Sequence, residues 1–327
     1  MEEEAAVVEP PRFHFRGGSR LRVFRFGDGR RGAVVFLHGL LSSHRFWEDI
    51  ARGVAAQGFA CYAPDLLGFG ESPWPRGEAS YAISEHVGAV ARDVLAAVER
   101  DFGGDLKPPV HVVGHSLGAV VATELAAREK VVASLVTVSL PYYRSQNAAR
   151  RDARDSCCCC GRKHKSWRGG AVWLVLACPL LAYLLCSLIC QQRWFYVMLG
   201  RLVDRAARTL LGRRPSFEAR FADALNHSYD SVVASYRQCV ETHRLDPANL
   251  DLPVLVAHGR DDDVVDPACS RDFHADLVDA RVDATLVLID GVNHSCNDNN
   301  LAALLGRWFA KDNISSSSSS STTTTLV

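Results

Sequence analysis

The chain has 327 residues, 48% of them apolar, and 37 basic side chains balance 37 acidic ones to a net charge of zero. That length fits one large α/β core with an inserted segment as well as two separate domains, and the balanced charge sets nucleic-acid binding aside. Eleven cysteines, scattered except for Cys157 to Cys160, do not form a disulfide framework in a chain of this size, so reduced thiols are expected.

Residues 1–18 read as a flexible N-terminus. Met1 to Pro11 is acidic and contains no apolar run preceded by lysine or arginine, so no signal peptide is expected and the location read is cytoplasmic or peripheral to a membrane. An α/β core begins at about residue 19 and runs to 140. Within it Leu21 to Phe26 predicts an edge strand, Ala33 to Leu37 a buried strand and Phe59 to Pro64 another. Between them a helix capped by Ser42 or Ser43 presents Phe46, Ile50, Val54 and Ala55 on one face, and Gly58 closes it. Strand Phe59 to Pro64 leads into a glycine-rich turn holding Asp65, Gly68, Gly70 and Ser72, and a helix from Ser84 through Val98 follows. Val110 to Val113, Val131 to Val138, Leu252 to His258 and Ala284 to Ile289 predict further strands separated by helical patterns. This alternation predicts a mostly parallel central sheet flanked by helices on both faces. The second core part spans 252–310, and 311–327, rich in serine and threonine, is expected to be a disordered tail.

Gly114-His-Ser-Leu-Gly118 follows an apolar β-branched run and precedes an alanine-rich helical one, which places Ser116 on a sharp strand-to-helix turn. Gly114 and Gly118 remove the side chains that would clash there. A serine needs a general base and a carboxylate to orient that base. In a turn of this type the chain order is serine, acid, histidine. Beyond the aspartates only His274 and His294 remain. His274 sits inside a helical pattern, whereas His294 follows a strand and the Gly291 loop, which makes it the predicted base. The acid comes from Asp261, Asp262 or Asp263; spacing from Gly259 favours Asp262, with Asp261 second. Backbone N–H groups of Leu117, and of Leu40 after His38 and Gly39, are the predicted oxyanion donors. His38 and His115 read as structural. Four adjacent cysteines make a poor tetrahedral ligand set, so no metal and no organic cofactor is expected.

Together, His38-Gly39, Asp65-Leu-Leu-Gly-Phe-Gly-Glu-Ser72, Gly114-His-Ser-Leu-Gly118, His258-Gly259 with Asp262, and Asn293-His294 resemble the α/β-hydrolase superfamily over about residues 20–310. The glycine-rich turn, Leu140-Pro-Tyr-Tyr143 and the segment from Cys186 to Trp194 further resemble the BODYGUARD group of plant hydrolases, labelled as lysophospholipases. The resemblance implies an α/β-hydrolase fold and an esterase or lipase-like serine hydrolase acting on carboxylic esters with an apolar acyl group. Other chains that resemble this fold keep a triad yet act as small-molecule receptors, so a binding protein is the alternative. Ser116 argues against epoxide hydrolysis and dehalogenation, which use a carboxylate nucleophile on this fold.

Between 141 and 251 the strand-helix rhythm stops, predicting a helical cap inserted over the carboxyl ends of the strands. Residues 171–190 carry no charge. Spanning a bilayer there would part Ser116 from His294, so the run is read either as a buried cap helix or as lying in a membrane interface. Residues 144–168 hold eight basic side chains against two acidic ones beside Cys157, Cys158, Cys159 and Cys160. That composition suits an anionic membrane surface and thioester acylation, or else a hydrated loop.

Overall fold

The computed structural model describes residues 20–103, 109–155, 227–296, 299–311 and 322–326. The flexible N-terminus expected over 1–18, the four cysteines Cys157 to Cys160 and the uncharged run 171–190 lie outside them.

The β-branched runs become β1 (Val23–Phe26), β2 (Ala33–Leu37), β3 (Ala60–Pro64), β4 (Val110–His115), β5 (Val132–Val138), β6 (Val254–Gly259) and β7 (Ala284–Ile289), joined by β8 (Thr322–Leu326). The helices are α1 (Glu48–Ala55), α2 (Ile83–Val90), α3 (Ala96–Phe102), α4 (Leu117–Arg128), α5 (Gln146–Asp155), α6 (Tyr229–Ser235), α7 (Ala268–Asp279) and α8 (Asn299–Lys311). The sheet runs β1-β3-β2-β4-β5-β6-β7-β8, parallel throughout except where β1 meets β3.

Strand β2 shows why its residues form a continuous apolar run. Val35 and Leu37 enter the core that includes Val87, Val98, Val120 and Phe273 from α2, α3, α4 and α7, while Val34 and Phe36 enter the core built with Ile50, Val54, Leu301 and Leu305 from α1 and α8. A strand covered on both faces has no polar side. Ser43 caps the 3-10 turn that leads into α1, accepting from the Arg45 amide. The expected helix from Ser84 to Val98 is interrupted by a π-helical turn at Ala91–Leu95, a break with no composition signature.

The tail departs from expectation. Thr322–Leu326 pairs in parallel with β7, Thr322 opposite Thr285 and Leu326 opposite Ile289. The polar composition suggested disorder, but threonine is β-branched and the open edge of β7 offers unpaired backbone groups to match.

β3 lies on one side of β2 and β4 on the other, so the winding of the sheet reverses there. Leu37 and Gly114 are register partners, which sets the loops leaving β2 and β4 side by side at the carboxyl ends, where open α/β sheets bind ligands. The insertion leaves after β5 and returns above this crevice: His227 bridges to Phe69, and α6 packs over the glycine-rich turn. An added Cβ at Gly68 would fall 2.3 Å from the Ser231 Cβ.

Two consequences are measurable. A Cβ at Gly118 would lie 2.2 Å from the Leu37 carbonyl oxygen, whereas one at Gly88 in α2 meets nothing within 4 Å. Denaturant unfolding is expected to show Gly118→Ala destabilised by about 3 kcal/mol or more, and Gly88→Ala stabilised by about 0.5–1 kcal/mol. The second consequence is acid lability. Burial pushes His86 and His111 down to about 4 from 6.5, and burial with the charge of His294 pushes His115 to about 3. Between these values and 6.5 the unfolded chain binds more protons than the folded one, so stability falls as pH drops from about 6.5 towards 4. Each histidine contributes a slope of about 1.4 kcal/mol per pH unit. Unfolding free energies measured across this range are expected to approach a three-proton dependence.

Candidate active site

Ser116 sits between β4 and α4 with φ 52 and ψ −119, a left-handed conformation that strains any residue with a side chain. Its amide donates to the Val138 carbonyl of β5 at 2.9 Å, which ties the turn to the sheet. The flanking glycines are required by contact: a Cβ at Gly114 would come within 2.3 Å of the Gly118 carbonyl oxygen. Leu117 opens α4, where backbone N–H groups have no acceptor within the helix.

Gly39 brings the loop after β2 against this turn. A Cβ there would lie 2.9 Å from His115 Nδ1 and 3.1 Å from Ser116 Cβ, so the Leu40 backbone follows immediately beside the serine. The loop is braced from beneath. His38 is fully buried; its Nδ1–H donates to the Gly39 carbonyl at 2.8 Å and its Nε2 accepts from the Leu66 amide at 2.9 Å. Asp65, also fully buried, accepts from the amide and Nδ1 of His44 at 2.7 and 2.9 Å and from the Glu71 amide at 2.8 Å. Burial opposes ionisation of Asp65, but the hydrogen bonds and charges of His44 and His38 outweigh it and hold the carboxyl below its usual range.

Of the three aspartates after β6, geometry selects Asp262. Its side chain is 0% exposed while Asp261 is exposed and Asp263 half-buried. Asp262 Oδ1 accepts from the amides of Val264 and Val265, each at 2.9 Å, and Oδ2 accepts from His294 Nδ1 at 2.8 Å. His258 Nε2 stands 3.0 Å from the same Oδ2. Burial alone would raise this carboxyl; the charge of His294 and the hydrogen bonds from His258 and His294 win, and hold it far below the normal carboxylate range. His294 is 18% exposed, and His274 lies within α7, half-buried.

His294 follows β7, three strand positions from β4, so its loop must return about 14 Å across the strand ends. Gly259 lets it pass: a Cβ there would meet the Val292 carbonyl oxygen at 2.2 Å. The loop is then tied down twice, because the His294 carbonyl accepts from His115 Nε2 at 2.8 Å and from Ser139 Oγ at 3.4 Å. The His115 ring stacks on Phe46 at 4.4 Å, and its Nδ1 has no hydrogen-bond partner among the described residues. Sequence reasoning gave His115 a packing role and missed this clamp; its adjacency to Ser116 was the available signal. Ser139, with φ 51 at the end of β5, carried no signal. Among the described residues, Cys61, Cys239, Cys269 and Cys296 are not in disulfides.

The profile of a family described as serine aminopeptidase, S33, matches residues 28–299. A protein named "Probable lysophospholipase BODYGUARD 3" from Arabidopsis thaliana is 28% identical over 258 residues, 76% of this chain and 50% of that protein. "Probable lysophospholipase BODYGUARD 1" from the same plant is 28% identical over 266 residues, covering 76% and 52%. The chain thus spans about half the length of the curated relatives it matches. Among solved structures, a monoacylglycerol lipase from Paleococcus ferrophilus shares the fold with a TM-score of 0.55 at 19% identity, over 90% of this chain and 99% of that one. On this sheet, this strand-turn-helix and this family match, the chain belongs to the α/β-hydrolase superfamily, within the family described as serine aminopeptidase, S33, and is similar to the BODYGUARD group.

Proposed function

We propose that the protein is a serine hydrolase of carboxylic esters bearing an apolar acyl group. The observation that carries the reading is the 2.8 Å bond from His294 Nδ1 to a fully buried Asp262, on a loop clamped to the residue beside Ser116. A carboxylate only accepts, so the bond fixes the proton on Nδ1 and leaves the Nε2 lone pair to act as base. Ser116 Oγ attacks the ester carbonyl carbon, its proton passes to His294 Nε2, and the carbonyl π pair moves onto oxygen. The amides of Leu40 and Leu117 receive that oxyanion. Collapse breaks the bond to the alcohol, which leaves with the proton from His294. Water then repeats the sequence on the acyl-enzyme, releasing the carboxylic acid and restoring Ser116. The steps need neither a metal nor an organic cofactor.

The insertion supplies the acyl site in this reading. It leaves the sheet at β5 and returns over the crevice through His227 and α6, and the uncharged composition of 171–190, between those points in the sequence, supports an apolar acyl group. The names of the BODYGUARD relatives support a lipid-like ester. Cys157 to Cys160, with the basic residues around them, are the proposed acylated membrane attachment. Cell fractionation tests it: wild type is expected with membranes, and a quadruple serine variant released from them.

Wild type is expected to label with a fluorophosphonate probe and to turn over p-nitrophenyl esters. Ser116→Ala is expected to lose labelling and at least about ten-thousand-fold in kcat/KM; full activity in that variant overturns the assignment. His115→Leu removes the stronger tie on the His294 carbonyl. A base displaced by a fraction of an ångström is expected to lower kcat roughly ten- to a hundredfold with KM within about twofold.

A further inference from the structure

Asp262 Oδ2 serves two imidazoles. His258 is 0% exposed at the end of β6; its Nε2 lies 3.0 Å from Asp262 Oδ2 and 3.1 Å from the Val265 carbonyl oxygen, and its Nδ1 lies 2.6 Å from Ser270 Oγ on α7. Both neighbours of Nε2 are acceptors, so that nitrogen carries a proton. Ser270 Oγ both donates and accepts, so Nδ1 can be the bare acceptor. With the two amides on Oδ1 and His294 on Oδ2, His258 is the fourth nitrogen close to a carboxylate whose side chain is 0% exposed.

We propose that His258 is a positioning residue for the reaction, locked as the neutral Nε2–H tautomer between Ser270 and Asp262, and that by occupying Oδ2 it limits how strongly that carboxylate holds a proton on His294. The inference rests on the serine-hydrolase reading for its catalytic consequence. A donor on a carboxylate stabilises its charged form and draws density away from its other partner. Without His258, Asp262 binds the protonated imidazole more tightly, and His294 becomes a base that is charged over more of the working pH range. The groups facing His294 are Asp262 from the loop after β6, His115 from β4 with ring centroids 4.8 Å apart, and His258 across Asp262, while the Cys296 thiol two residues along its own loop donates to the Asn293 carbonyl. His115 is kept neutral by burial, which leaves the His258 and Asp262 pair to set the balance.

Histidine-selective nitrogen and proton NMR of the full chain tests this. In wild type the His258 ring is expected to carry its proton on Nε2 alone. In His258→Leu the His294 titration midpoint is expected to rise by about half a unit or more, and the acid limb of kcat/KM to move with it; His258→Gln, whose amide reaches the same oxygen, is expected to restore the wild-type midpoint. A proton on His258 Nδ1, or a His294 midpoint unchanged or lowered in the leucine variant, overturns the proposal. Should the leucine variant fail to fold, the wild-type tautomer and the glutamine variant decide it. Loss of fluorophosphonate labelling in wild type would instead sink the hydrolase reading while the NMR arms still judge the role of His258.

Discussion

The interaction on which this site depends is the return of the β7 loop across the ends of β6 and β5. Without it the imidazole would stay three strand spacings from the serine. Three kinds of force share the task. Gly259 gives steric room by letting the Val292 carbonyl cross the strand end. Asp262 supplies a charge-assisted bond to the imidazole, roughly twice as strong as a neutral one. His115 and Ser139 hold the His294 carbonyl. The charged bond fixes the ring and the neutral ones fix the backbone, so orientation and position are set by separate contacts.

The opposite side of the crevice repeats the device. Asp65 gathers the amide and ring of His44 and the Glu71 amide, joining the turn after β3 to the segment beyond Leu40. A buried carboxylate costs several kcal/mol when its acceptors are empty. The side chains of Asp65 and Asp262 are both fully enclosed and both surrounded by donors, so each becomes a fixed node from which a loop of the candidate site is held. The strained φ of Ser116 persists for the same reason: its amide, its glycine neighbours and the start of α4 leave it no lower alternative. For the proposed reaction, the Leu40 and Leu117 amides and His294 would thereby be held before a substrate arrives, which is what electrostatic preorganisation requires.

Much of this was legible in the chain because its signals are local. Runs such as Ala33 to Leu37 and Ala284 to Ile289 declare buried strands by composition, and both match the structure at each end. Ser116 shows itself through two glycines whose need is steric, and His294 through chain order. Among Asp261, Asp262 and Asp263 spacing favoured Asp262, and it is the one whose buried side chain meets His294; three consecutive carboxylates have the same chemistry until the loop points one inward. His115 and His258 were visible as residues and not as contacts, since each acts on a group more than 30 positions away or across a turn. The π-helical turn at Ala91–Leu95 leaves no compositional mark. The strand at Thr322–Leu326 was hidden by a polar tract whose threonines favour a sheet once an open edge is beside them.

The division of labour within the chain also explains why names among its relatives diverge. The family carries the description of an aminopeptidase, while the BODYGUARD proteins carry that of lysophospholipases. Amide and ester cleavage share a serine, a histidine and an oxyanion site, and differ in whether the base hands its proton to a nitrogen or to an oxygen. The residues proposed for the shared steps all leave the carboxyl ends of β2, β4, β6 and β7. What distinguishes a long acyl chain from a peptide must touch the substrate beyond its carbonyl. In the proposed function that surface is assigned to the segment inserted after β5, because its described return through His227 and α6 lies over the glycine-rich turn beside the crevice. A fold that keeps its chemistry on strand ends and its selectivity on an insertion can change substrate class without disturbing the strand-end residues, so under the proposed function it is the insertion, more than the sheet, that would select the ester.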